Sequence, residues 1–248
     1  SGSTKIATKL SENTSALFIF TNENSNEIDV KTDSKYLDNE DSFGNNYFIN
    51  LSQKVGEYGK ANIIYENISR TQEITSKADN LALMKDINTK TNAEETFQSI
   101  FTDTKTSRER ISLNYEYDNK KSNNFIDALK LNLYNQYSRV DDDSKIDWTM
   151  FMPNAGPFGT TNVYKDVNDY YMKNDIYGGV IEAKSNINIF ERDHLITYGV
   201  DYSATDFSRV RNKTRTKNGS AEAYDPKKDT PDSDIKRTGV YLQDEFTS

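Results

Sequence analysis

Residues 191–209 read Glu-Arg-Asp-His-Leu-Ile-Thr-Tyr-Gly-Val-Asp-Tyr-Ser-Ala-Thr-Asp-Phe-Ser-Arg, and residues 231–248 read Pro-Asp-Ser-Asp-Ile-Lys-Arg-Thr-Gly-Val-Tyr-Leu-Gln-Asp-Glu-Phe-Thr-Ser. In the first, Ile196, Tyr198, Val200 and Tyr202 alternate with Leu195, Thr197, Gly199 and Asp201. In the second, Val240, Leu242 and Phe246 alternate with Tyr241, Gln243 and Glu245. A period of two belongs to an extended strand whose two faces meet different surroundings. A tight charged turn opens the first strand, and a long polar stretch separates it from the second.

The same grammar recurs upstream. Ile111, Leu113, Tyr115 and Tyr117 alternate with Ser112, Asn114 and Glu116, and Leu129, Leu131 and Leu133 with Lys130, Asn132 and Tyr134. Short connections are expected near 11–14, 56–60, 119–124 and 188–193, and long ones near 23–46, 76–104, 141–169 and 208–236. The pattern predicts about ten antiparallel strands. Short turns on one rim and long loops on the other are the arrangement of an outer-membrane β-barrel, with the short turns periplasmic and the long loops extracellular. A soluble β-sandwich would carry regular short loops at both ends, so the asymmetry favours the barrel.

Composition agrees. Hydrophobic residues make up 34% of the 248 and the formal net charge is −8; mean hydropathy is −0.86. Such values lean towards disorder, but 16 Tyr and 12 Phe suit a wall that spends half its positions on water. There is no cysteine, so disulfides and thiolate metal sites are excluded. The single His excludes a multi-histidine site built from this chain. The acidic balance disfavours nucleic acid. No apolar run reaches the length of a membrane helix, which leaves a barrel open. The opening Ser-Gly-Ser-Thr-Lys and an end inside an apparent strand read as the cuts of a fragment.

Four stretches carry a family resemblance: Arg-Glu-Arg-Ile-Ser-Leu-Asn-Tyr-Glu-Tyr-Asp at 108–118, Asp-Ala-Leu-Lys-Leu-Asn-Leu-Tyr-Asn-Gln-Tyr at 127–137, His-Leu-Ile-Thr-Tyr-Gly-Val-Asp-Tyr at 194–202, and Arg-Thr-Gly-Val-Tyr-Leu-Gln-Asp-Glu at 237–245. Together they resemble the TonB-dependent outer-membrane receptors, in particular the haemoglobin/haem branch. The resemblance implies an all-β transmembrane barrel of about 22 strands with a plug inside it, of which residues 1–248 would be a partial barrel domain without the plug. It further implies a bacterial outer-membrane location and uptake of haem-iron, with haemoglobin as a source. The partners would be TonB, through the missing plug, extracellular haem or haemoglobin, and outer-membrane lipid and lipopolysaccharide. Haem or an iron chelate would be cargo rather than a resident cofactor. The Phe-Arg-Ala-Pro and Asn-Pro-Asn-Leu boxes of the haem branch are absent, so a siderophore is an alternative cargo. A non-membrane, β-rich surface binding or adhesin module is the alternative from another class.

Arg209, Arg211, Lys213, Arg215 and Lys217 recur at every second position and share one face of an extended segment. Register carried on from Ile196 puts them on the lumen side, where a positive stripe would attract anionic cargo. A bulge after Asp206 would reverse that facing, and the bland reading is a solvated loop or lipopolysaccharide contact. Trp148, Met150, Phe151, Met152 and Phe158 form an apolar cluster in an expected long loop. Either Trp148 and Phe158 dock a protein ligand or the cluster fills the loop's own small core. His194, beside a short turn, reads as a turn or interface histidine. Residues 141–147 fail the calcium-loop pattern, with Lys145 and Ile146 where ligand and glycine belong. Asp225, Asp229, Asp232 and Asp234 read as a solvated loop. No catalytic constellation and no metal site is apparent.

Overall fold

A computed structural model describes residues 1–25, 39–76, 86–88, 93–119, 125–153, 155–190, 192–222 and 231–246. Its elements are β1 (Gly2–Lys9), β2 (Thr14–Ser25), β3 (Asn39–Val55), β4 (Gly59–Thr75), β5 (Asp86–Asn88), β6 (Ala93–Asp118), β7 (Ala128–Met152), β8 (Thr160–Ile189), β9 (Arg192–Lys217), β10 (Ser220–Glu222) and β11 (Ser233–Phe246). They form one sheet in which the long strands follow chain order from β1 to β9, with β11 beside β9. Every pairing is antiparallel.

Directly paired residues of an antiparallel sheet project to the same side, so the register sorts the two faces. One row runs Leu51, Ile63, Leu113, Leu133, Gly179 and Tyr202 across successive strands. The row one residue over runs Ser52, Asn62, Asn114, Asn132, Val180 and Asp201 on the opposite face. The apolar row is exposed: Leu51, Ile63, Leu113, Leu133 and Tyr202 all present large surface. The only buried apolar residues among those described are Ala93, Trp148, Tyr164, Ala183 and Ala204. A single layer with its apolar face outward and its polar face inward is stable when lipid covers the first and water the second. Of the buried side-chain polar atoms without a protein partner, those of Asn50, Arg108, Arg110, Asn162, Asn168 and Asn174 lie on the polar face, as suits a wet lumen, and that of Asp103 lies on the outer face above the apolar band.

The strands outrun the membrane. A transmembrane strand needs about ten residues, whereas β8 has 30, roughly 100 Å at the strand rise. On its outer face Tyr177, Gly179, Ile181 and Ala183 belong to the apolar band, while Lys165, Asp169, Lys173 and Asp175 stand in the polar part towards the β7–β8 tip. This corrects the expected connections. Most of 93–104, 141–169 and 208–217 is strand. Above the band both faces are wet, so the apolar alternation that marks a strand disappears while the backbone ladder continues. Residues 26–38, 77–85 and 223–230, with Asp225 and Asp229, lie outside the described residues.

Two turns show how local chemistry ends these strands. β9 and β10 are joined by Asn218 (φ 50°) and Gly219 (φ 82°), the paired positive φ values of a two-residue hairpin turn. The Asn218 side chain ties the turn to β8, accepting from Val163 N at 2.8 Å and donating to Asn162 Oδ1 at 2.9 Å. Lower in the wall, Gly199 lets three strands approach: a Cβ there would lie 2.5 Å from the Tyr241 ring and 2.6 Å from the Ile181 carbonyl oxygen. Gly199→Val is therefore expected to cost about 1–3 kcal/mol by overpacking, read as a smaller fraction of folded, heat-modifiable barrel on cold electrophoresis. An undiminished folded band would contradict this packing.

Candidate cargo-facing site on the upper wall

β9 runs from Arg192 to Lys217 with unbroken register against β8; the one irregularity of the neighbouring ladders lies at Phe97/Ser99 in β6. With no bulge after Asp206, Arg209, Arg211, Lys213, Arg215 and Lys217 share the polar face with Thr197 and Asp201. Their direct partners on β8 are Met172, Tyr170, Asn168, Asp166 and Tyr164.

The upper part of the stripe is locked. Asp166, 4% exposed, accepts a two-pronged hydrogen bond from Arg215, Nε to Oδ1 at 2.6 Å and Nη2 to Oδ2 at 2.7 Å. Lys213 Nζ lies 2.8 Å from Asp166 Oδ2, and the Trp148 indole N–H donates to the same oxygen at 3.3 Å. Trp148 stacks on Tyr164 with centroids 4.2 Å apart and planes 11° apart, and Phe97 closes the group at 6.4 Å. The Arg215 guanidinium sits over both Trp148 (5.1 Å) and Tyr164 (5.5 Å), and Lys217 over Tyr164 (5.7 Å). Burial pushes the Asp166 carboxyl up, but the hydrogen bonds from Arg215 and Lys213 and their charges outweigh it and hold it below the usual carboxylate value.

The lower part has a different neighbourhood. The Arg209 guanidinium lies 4.8 Å from the Tyr170 ring centroid, and Tyr170 pairs with Arg211 on one side and Asp142 on the other. Burial, and then the charge of Asp143, push the Asp142 carboxyl up, against a hydrogen bond with Thr104. This region offers guanidinium groups beside an aromatic ring, a pairing suited to a planar or carboxylate-bearing anion.

The expected apolar loop cluster is divided. Residues 148–152 lie on β7, and Trp148 is 6% exposed inside the lock. Phe158 stands at the β7–β8 tip, 94% exposed. The loop expected around them is therefore a strand pair with a short tip. His194 lies at the start of β9, where its Nδ1 is 2.9 Å from Asp244 Oδ2 and its ring 5.6 Å from Phe246, an inter-strand contact with β11. Residues 141–147 are strand, so successive aspartates point to opposite faces. The sequence reading missed Asp166, Tyr164 and Tyr170. No contrast of residue type marked them: Asn162, Tyr164, Asp166 and Asn168 are buried while their neighbours are exposed, an alternation that only the structure brings out.

A long meander with a lipid-suited outer face, a wet inner face and tall polar extensions defines the wall of an outer-membrane β-barrel. The family model of the TonB dependent receptor-like β-barrel matches residues 21–248, and the chain belongs to that family. Comparison with curated proteins gives no match. Membership implies a transport receptor of the bacterial outer membrane, not an enzyme, which engages TonB and an extracellular ligand.

Proposed function

We propose that this wall serves a receptor that imports haem-iron, with Arg209 and Arg211, at the lower end of the basic stripe, drawing the anionic cargo into the lumen. The observation that carries the reading is the placement of Arg209 and Arg211 beside Tyr170 on the inner face. A porphyrin offers a flat face to the ring and carboxylates to the guanidinium groups. Haemoglobin as the source rests on the resemblance of the strand phrases, with the exposed Phe158 tip as a contact. A ferric siderophore is the competing cargo, since it too is often anionic.

The test is growth under iron limitation of a strain that carries the intact receptor, beside its deletion mutant. Deletion is expected to abolish growth on haem as sole iron source and to leave growth on ferric siderophores unchanged. Loss of siderophore-dependent growth alone would replace haem with a chelate as cargo.

A further inference from the structure

We propose that Arg108 and Arg110, deeper on the inner wall than the basic stripe, form a second anion subsite that retains the cargo once Arg209 and Arg211 have captured it. The subsite rests on the reading of this wall as the path of an anionic cargo, and not on that cargo being haem.

β6 turns Arg108 and Arg110 to the lumen, where their direct partners are Ile68 and Glu66 on β4 and Ser138 and Gln136 on β7. Arg70, one row up on β4, adds a third guanidinium, whose Nε donates to Ser42 Oγ at 2.9 Å. Glu66 is the one carboxylate directly paired with any of the three, so the cluster is net positive. Elsewhere on the wall the arginines are taken: Arg215 by Asp166 and Arg139 by Asp141. In Arg108 and Arg110, by contrast, the buried Nε has no hydrogen-bond partner. A buried donor left unpaired is costly. A small turn of each guanidinium onto an incoming carboxylate removes that cost, because the carboxylate accepts from two prongs of the fork at once.

The surroundings repeat those of the capture point. The Arg110 guanidinium lies 5.5 Å from the Tyr134 ring centroid, as Arg209 lies 4.8 Å from that of Tyr170. Tyr134 lies down over its β8 partner Gly178, where a Cβ would be 2.8 Å from the tyrosine Oη; the glycine makes room for the ring against the wall. The two arginine pairs stand on β6 and β9, three strand spacings or about 15 Å apart. Between them Val140 and Met172 pair directly, and Met172 pairs with Arg209, which gives an apolar floor for the body of the cargo. Arg211 is level with Thr104 through Tyr170 and Asp142, and Arg110 stands six residues below Thr104 on the same strand, a descent of about 20 Å. The row of Arg110 contains Ile176, the neighbour of Tyr177 in the outer apolar band, so Arg110 lies level with the upper edge of the membrane. A net positive cluster at that depth draws an anion inward from the stripe above it.

The intact receptor in mild detergent is mixed with haem, with haem dimethyl ester, which has no free carboxylate, and with ferric citrate, and association and dissociation are followed by stopped flow. Arg108→Gln/Arg110→Gln is expected to speed haem dissociation by about tenfold or more. Association at low salt should stay within about twofold of wild type, and the ester should dissociate as it does from wild type. Arg209→Glu/Arg211→Glu, which slows association instead, is the contrast. Unchanged haem dissociation from the Gln variant, or equal acceleration of the ester, would overturn the subsite. If the Gln variant lowers the folded, heat-modifiable band, Arg108→Lys/Arg110→Lys decides in its place, since it keeps the charge and loses the fork: faster haem dissociation supports the subsite and an unchanged rate overturns it. Binding of ferric citrate without haem removes haem as cargo, and the same rates measured on ferric citrate then decide the subsite. Binding of neither anion overturns it.

Discussion

Asp166→Asn is expected to loosen the upper wall while leaving the membrane band in place. Removal of one partner from a buried ion pair strands the others; fully buried cases cost about 3–5 kcal/mol. Lys213 and Arg215 retain 15% and 27% exposure, so a smaller cost of about 2–3 kcal/mol is expected here. Trp148 also loses its indole acceptor, and the stack on Tyr164 loses the guanidinium that Asp166 aims at it. Hydrogen exchange of the intact receptor should show faster amide exchange in β8 near 163–170 and in β9 near 209–217. Near Gly199 exchange should be unchanged. A double-mutant cycle with Arg215→Met should give a coupling of about 1–3 kcal/mol. Unaltered exchange in the upper strands would refute the lock.

The same cluster has a pH signature. The folded Asp166 carboxyl titrates below its unfolded value, so its stabilisation is complete above the ordinary carboxylate range near pH 4 and is lost as pH falls through the depressed value. Asp142 acts in the opposite sense. Its carboxyl is held above the ordinary value, so its charge costs stability at neutral pH and acid relieves that cost. Asp142→Asn should therefore slow exchange in the upper wall at neutral pH, whereas Asp166→Asn hastens it.

The second large effect concerns capture of cargo. Arg209→Glu/Arg211→Glu is expected to reduce anionic-cargo association by about tenfold or more at low ionic strength. The deficit should shrink as salt approaches physiological strength and the screening length falls to about 8 Å. These positions are preferable to Lys213 and Arg215, whose reversal would set a carboxylate against buried Asp166 and damage the fold. Association followed by stopped-flow quenching of the intact receptor at several salt concentrations separates the two effects. A salt-independent loss would assign the change to folding, and an unchanged rate would remove the stripe from the capture path.

Much of the wall was legible in the chain. Ile111 to Tyr117, Leu129 to Leu133 and Ile196 to Tyr202 announce their strands because one neighbour is lipid and the other water, and that contrast is written as a period of two. The facing of Arg209 to Lys217 followed by counting along the same strand. The upper strands were not legible in the same way. From Asp141 to Trp148 and from Thr160 to Asp175 polar residues stand on both faces with apolar ones such as Val163 and Val167 scattered among them, so no sustained apolar alternation marks the strands and the segments read as loops.

The lock was hidden for a further reason. Asp166 and Arg215 are far apart in the chain and meet only because the β8–β9 register pairs them, while Trp148 reaches Asp166 through the β7–β8 register. The sequence alone determined which segments could face lipid, since that depends on residue type and local spacing. The tertiary structure decided how high the strands stand, which cations are neutralised and where Trp148 is buried. Those outcomes depend on ladder register between distant segments, which local alternation does not encode.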